Sequence, residues 1–195
     1  MLFRPLVVIA LALTIVLRAP AAGAEEGEHG WVQSVGLRAA YGIGARDNLR
    51  FVSLLPRVSL FFPRVIDEPL AAHDWRPEFI IEPIVSSITN SNTNTVEAGI
   101  NPLVFSLRYD RGQSLVPFLE GGEGLLYTDL RHERLGTRFQ FSSQGGGGLH
   151  WFLDRTTALT ISYRIRHISN ARISKENQGL NTHFLTIGLS FFPSR

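Results

Sequence analysis

The chain has 195 residues, no cysteine and a formal net charge of +2, from 19 basic and 17 acidic side chains. The missing cysteines exclude a disulfide-braced scaffold, so stability has to come from packing or backbone pairing. The arginines are spread along the chain without a basic block, which excludes the electrostatic footprint of a nucleic-acid binder.

The first residues, M-L-F-R-P, lead into an apolar run over 6–17 that ends at Arg18 and is followed by Ala22, Gly23 and Ala24. A basic start, a short apolar stretch and an A-x-A-like site predict a secretory signal peptide over 1–24. The run falls short of the roughly 20 residues that a spanning helix needs. Residues 25–195 then fit one domain, on a prior of about 100–200 residues per domain.

After a polar lead, 34–44 alternates. Val35, Leu37, Ala39, Tyr41 and Ile43 share one face, opposite Ser34, Gly36 and Arg38, which predicts a strand with one apolar side. The second segment, from 48 to about 62, sets Val52, Leu54, Pro56, Val58 and Leu60 against Ser53, Arg57 and Ser59, although Phe51, Leu55 and Phe61 interrupt the polar face. Pro56 calls for a bulge there. A third strand begins at Glu78 and gives way to a Ser, Thr and Asn-rich loop over 86–95. Asp67 and Glu68, and Asp129 with Glu133, read as turn residues.

In the fourth segment, 96–109, the apolar parity switches between Ile100 and Leu103, as one extra residue at a β-bulge would produce. Segments 115–128 and 138–153 are strands five and six, diluted by Gly121, Gly122, Gly124 and 145–148. The seventh, 157–169, alternates cleanly between Leu159, Ile161, Tyr163, Ile165 and Thr160, Ser162, Arg164, Arg166. The eighth, 181–192, opposes Leu185, Ile187, Leu189 and Phe191 to Thr186, Gly188 and Ser190.

About eight such strands predict an all-β fold, an eight-stranded antiparallel transmembrane β-barrel of the outer membrane. The alternative is a soluble barrel with its apolar face inside. Arg38, Arg57, Glu78, Glu82, Arg164 and Arg166 share the polar face, where opposite charges can pair inside a narrow barrel. Tyr41, Tyr163 and Phe191 lie on the other face, as an aromatic girdle would.

The chemistry is expected in R-H-I-S-N-A-R-I-S-K-E-N-Q-G-L-N, residues 166–181. Residues two apart on a strand share a face, so His167 stands beside Ser169 as base beside hydroxyl. Asn181 is the candidate third group that orients the imidazole. By parity all three face lipid, and in an even-stranded barrel with periplasmic termini they lie at the outer-leaflet end. Polar groups are costly there, and a lipid substrate would be a reason to keep them. His183 shares the face of Asn181 as a further neighbour. His29, His73, His132 and His150 lack ligand spacing and read as surface or interface residues.

The string Y-R-I-R-H-I-S-N-A, then N-Q-G-L-N and a final apolar strand, resembles the PagL family of lipid A 3-O-deacylases, over about 163–192. H-x-S-N followed at this spacing by Gly-x-Asn or Gly-x-Glu is the specific part. The resemblance implies an outer-membrane serine esterase that hydrolyses the 3-O-linked acyl chain of lipid A, with Ser169 as nucleophile and His167 as base. It implies oxyanion stabilisation from the Asn170 region with Asn177, and no metal or organic cofactor. Partners implied are lipid A and the outer membrane, with no nucleic acid, and a homodimer is left open. Alternatives are an outer-membrane phospholipase, or a non-catalytic structural or adhesin barrel.

Three positions depart from the family pattern. Asn181 stands where the family has a glutamate; an amide orients an imidazole but does not offset imidazolium charge, and Glu176 could substitute. Arg172 stands where glycine is common and could crowd the site or bind a lipid A phosphate. The chain closes P-S-R after Phe192, without the usual terminal aromatic.

Overall fold

Eight antiparallel strands close on themselves in sequence order in this computed structural model, which describes residues 31–46, 48–92 and 94–193. The expected signal peptide lies outside the described residues. The strands are β1 (Val32–Gly44), β2 (Arg50–Phe61), β3 (Trp75–Thr89), β4 (Asn94–Tyr109), β5 (Leu115–Thr128), β6 (Phe139–Phe152), β7 (Thr157–Ser169) and β8 (Leu180–Phe191). β8 pairs back onto β1, with Phe191 opposite Val35. Both ends of the barrel chain therefore meet at one rim. The connections 129–138 and 170–179 extend from the other rim, the side that carries the long extracellular loops in barrels of this class. No helix among the described residues is long and apolar enough to cross a membrane.

Alternation sets which side faces lipid. Tyr41, Tyr163 and Phe191 are outward and exposed, as are Leu119, Leu185 and Leu189. Inside, the side chains stack in three layers. Nearest the loop rim an apolar plug contains Phe51, Leu55, Ile88, Leu126, Ile168 and Phe184. This explains why Phe51 and Leu55 break the polar face of β2.

Below it lies an ionic layer. Arg38, Arg57 and Arg164 all contact Glu120, at 3.1, 3.1 and 2.7 Å, and Arg164 also meets Glu82 at 2.6 Å. Arg166 pairs with Glu97 at 2.6 Å and lies 5.2 and 4.9 Å from the ring centroids of Phe51 and Phe184, joining this layer to the plug. A cavity of about 10 Å³ between Ala40, Leu55, Arg164 and Phe184 has room for at most about one water. At the lower rim Arg108 holds Glu78 and Asp110 and lies 4.7 Å over the ring of Phe192.

Several expectations are corrected. β3 begins at Trp75 and runs to Thr89, and β4 begins at Asn94, so most of the expected loop 86–95 is strand. Its polar content serves the lumen, where Ser86 bonds Ser53 and Glu97, each at 2.8 Å. Asp67 and Glu68 belong to a helix, α1 (Arg64–Ala71). His150 is buried inside, stacked on Phe118 at 4.4 Å and bonded to Thr160 at 2.7 Å, and is not a surface residue. Pro56 has no bulge. The β2–β3 ladder instead lapses between the Leu54–Val85 and Val58–Ile81 pairs without changing register, because proline has no N–H to donate. The bulge expected in β4 is present, as a register shift between Ile100 and Leu103.

Candidate active site

His167, Asn181 and Ser169 lie on the outer wall at the loop rim. β7 and β8 pair so that His167 is directly opposite Asn181, and Asn181 Oδ1 sits 2.6 Å from His167 Nδ1. An amide oxygen can only accept, so this bond places the proton of a neutral imidazole on Nδ1 and leaves Nε2 as the basic nitrogen. Ser169 follows two residues later on the same face. A direct hydrogen bond between His167 and Ser169 is not among the contacts of the described residues. Resting enzymes often hold nucleophile and base slightly apart and close them on substrate.

Gly179 fixes the other side of the ring. Its φ is +68°, a region that L side chains rarely adopt. A Cβ there would come within 2.5 Å of His167 Cε1 and 2.8 Å of Nε2. Glycine at this point is what lets the β7–β8 connection close over the imidazole. The same residue's N–H donates to the carbonyl of Arg134 at 3.2 Å, tying that connection to the one between β5 and β6.

Asn170 is buried behind the wall. Its amide donates to the carbonyls of Leu135 and Glu176, both at 2.7 Å, and its backbone N–H donates to Asn177 Oδ1 at 2.8 Å. Asn170 and Asn177 thus hold the turn that leaves Ser169. Ala171 and Arg172 follow with φ of 51° and 67°, successive left-handed residues that reverse the chain beside the serine. The Ile173 N–H donates to the Asn170 carbonyl at 3.0 Å and closes this turn. Arg172 is exposed there. The Glu176 carboxylate is 3.4 Å from Ser174 Oγ, and no contact of the described residues links it to His167. His183, one outward step from Asn181, bonds the Tyr163 hydroxyl at 2.5 Å. Among the described residues no cluster of three or more His, Cys, Asp or Glu could hold a metal.

Two residues that sequence reasoning missed extend this arrangement. Ser143 on β6 is directly opposite His167, and Glu123 on β5 is directly opposite Ser143. Ser143 Oγ donates to Glu123 Oε2 at 2.7 Å. One polar row therefore crosses four strands on the outer wall. Its only sequence signal was parity, blurred by the glycines around it.

The sequence model of the family described as Lipid A 3-O-deacylase (PagL) matches residues 68–190. Among solved structures, the crystal structure of the outer membrane enzyme PagL is 19% identical, covers 78% of this chain and 97% of its own, and superposes with a TM-score of 0.63. Neisserial surface protein A (NspA) is 13% identical, covers 86% and 99%, and gives 0.55. These likenesses show the barrel. No curated protein matches the sequence. The family match takes in more than half of the chain, from α1 through β8 and across the H-x-S-N turn, and the chain belongs to the PagL family of outer-membrane lipid A deacylases.

Proposed function

We propose that this barrel is a serine esterase that removes the 3-O-linked acyl chain of lipid A. The observation that carries the reading is the Asn181–His167 bond on the lipid-facing wall, which fixes the imidazole tautomer needed beside Ser169. A base with its Nε2 unprotonated can take the hydroxyl proton as Oγ attacks the ester carbonyl. The tetrahedral oxyanion would be met by the N–H groups of the Ala171–Arg172 reversal, held in shape by Asn170 and Asn177. Collapse breaks the bond to the sugar oxygen, which takes the proton back from His167. Water, activated by the same imidazole, then releases the fatty acid and restores Ser169.

The wall position supports this reading over a merely structural strand end. A lipid ester reaches such a site from the membrane itself, with its acyl chains against Leu185, Ile187 and neighbouring apolar groups. The exposed Arg172 guanidinium would pair with a phosphate at the headgroup level on this reading. Mass spectrometry of lipid A from cells that make the wild type or Ser169→Ala, at matched outer-membrane levels, tests it. Loss of one 3-linked hydroxyacyl chain with the wild type alone is expected. An unchanged lipid A with both proteins folded overturns the reading, and release of phospholipid acyl chains would favour a phospholipase.

A further inference from the structure

Glu123 is an exposed carboxylate on the lipid side of β5, opposite Leu103 on the neighbouring strand β4 and flanked along its own strand by Leu125. An ionisable side chain on the lipid face of a barrel is costly and calls for a function and a partner. Its partner is Ser143, and Ser143 is the cross-strand neighbour of His167.

The opposite flank of His167 presents an anomaly of matching shape. Asn181 accepts a hydrogen bond from Nδ1–H but is neutral, so it orients the imidazole without stabilising the positive charge that forms when His167 takes the serine proton. In a Ser-His-Asp triad one carboxylate supplies both services. In this chain they are divided. Asn181 on β8 supplies orientation, and the Glu123 carboxylate stands on the other side, two strands away.

We propose that Glu123 is a positioning residue for the reaction, acting through Ser143 to supply the negative charge that Asn181 lacks. Strands are about 4.8 Å apart, and the Glu123 side chain spans the first gap to reach Ser143. The Ser143 hydroxyl donates to the carboxylate on one side and has His167 as its cross-strand neighbour on the other. Carboxylate and hydroxyl dipole both then favour the imidazolium over the neutral ring. Next to hydrocarbon this attraction is screened far less than in water. The stabilisation appears only when His167 is charged, so it lowers the barrier to acyl transfer without tightening substrate binding.

This inference rests on the serine-esterase reading, and one experiment separates the two. The full-length protein is purified in folded form and assayed for fatty-acid release from lipid A, with kcat and KM measured for wild type, Ser169→Ala, Glu123→Gln, Ser143→Ala, Asn181→Glu and the Asn181→Glu/Glu123→Gln pair. Folding is checked by gel mobility before and after heating. Glu123→Gln and Ser143→Ala are expected to lower kcat roughly tenfold at unchanged KM, in the range of one charge acting on a general base. Placing a carboxylate at 181 should rescue Glu123→Gln, shrinking its effect to less than about threefold, because coupled residues are not additive. Equal losses in both backgrounds, a loss in KM alone, or no loss overturns the assignment while leaving Ser169 as nucleophile. If Ser169→Ala keeps full activity, the esterase reading fails and this assignment falls with it.

Discussion

The barrel keeps polar groups in two places short of water, and treats them oppositely. Inside, five arginines, Arg38, Arg57, Arg108, Arg164 and Arg166, face five carboxylates, Glu78, Glu82, Glu97, Glu120 and Asp110. Every one of these charges has an opposite charge beside it. On the outer wall single hydrogen bonds join Glu123 to Ser143 and His167 to Asn181, Ser143 and His167 are neighbours across the ladder, and Ser169 follows His167 two residues along β7. The lumen is chemically closed and its polar groups serve the fold. The wall is chemically open, and its polar groups are available to a substrate.

The largest effect expected is on the wall. Ser169→Ala should lower lipid A deacylation by about a thousandfold or more, as loss of a nucleophile does, and leave heat-modified gel mobility as it is. In the lumen the sign of the contrast reverses. Glu120 holds three arginines, so Glu120→Gln should cost about 3–5 kcal/mol of stability, the usual penalty for a buried charge left without its partner, seen as a lower urea midpoint in a refolding titration. Activity per folded molecule should change much less.

Gly179→Ala tests whether ring position matters as much as ring identity. A methyl group there forces the imidazole aside, and a misplacement near 1 Å costs on the order of a hundredfold in turnover. The measurement is kcat on a fraction shown to be folded. Asn181→Ala removes the tautomer-setting bond while Glu123 remains, and a smaller drop of about tenfold is expected in the same assay. If Asn181→Ala proved as damaging as Ser169→Ala, the division of labour across the wall would be wrong.

Much of this was legible in the sequence because strand parity is a strict rule. β7 was read to its final residue, and the shared face of His167 and Ser169 followed directly. What failed did so for identifiable reasons. Ser86 looked like loop because its partner, Glu97, comes from the next strand and cannot be seen locally. Phe51 looked misplaced because the lumen is layered, and an apolar plug occupies one end. α1 was missed because Asp67 and Glu68 beside Pro69 read as a turn. Glu123 and Ser143 were missed because their meaning lies in register: four strands have to be aligned before the row exists.

The filled lumen has a consequence for the cell that carries this protein. A barrel with an apolar stopper and a neutralised ionic layer is a wall without a hole, so copies can accumulate without making the envelope leaky to solutes. On the proposed function traffic runs sideways instead: substrate would arrive by diffusion in two dimensions and the freed fatty acid would depart the same way, so the effective concentration is molecules per unit area of leaflet. Crowding, lipid order and divalent bridging between neighbouring headgroups then become the natural throttles on how often this wall meets an ester.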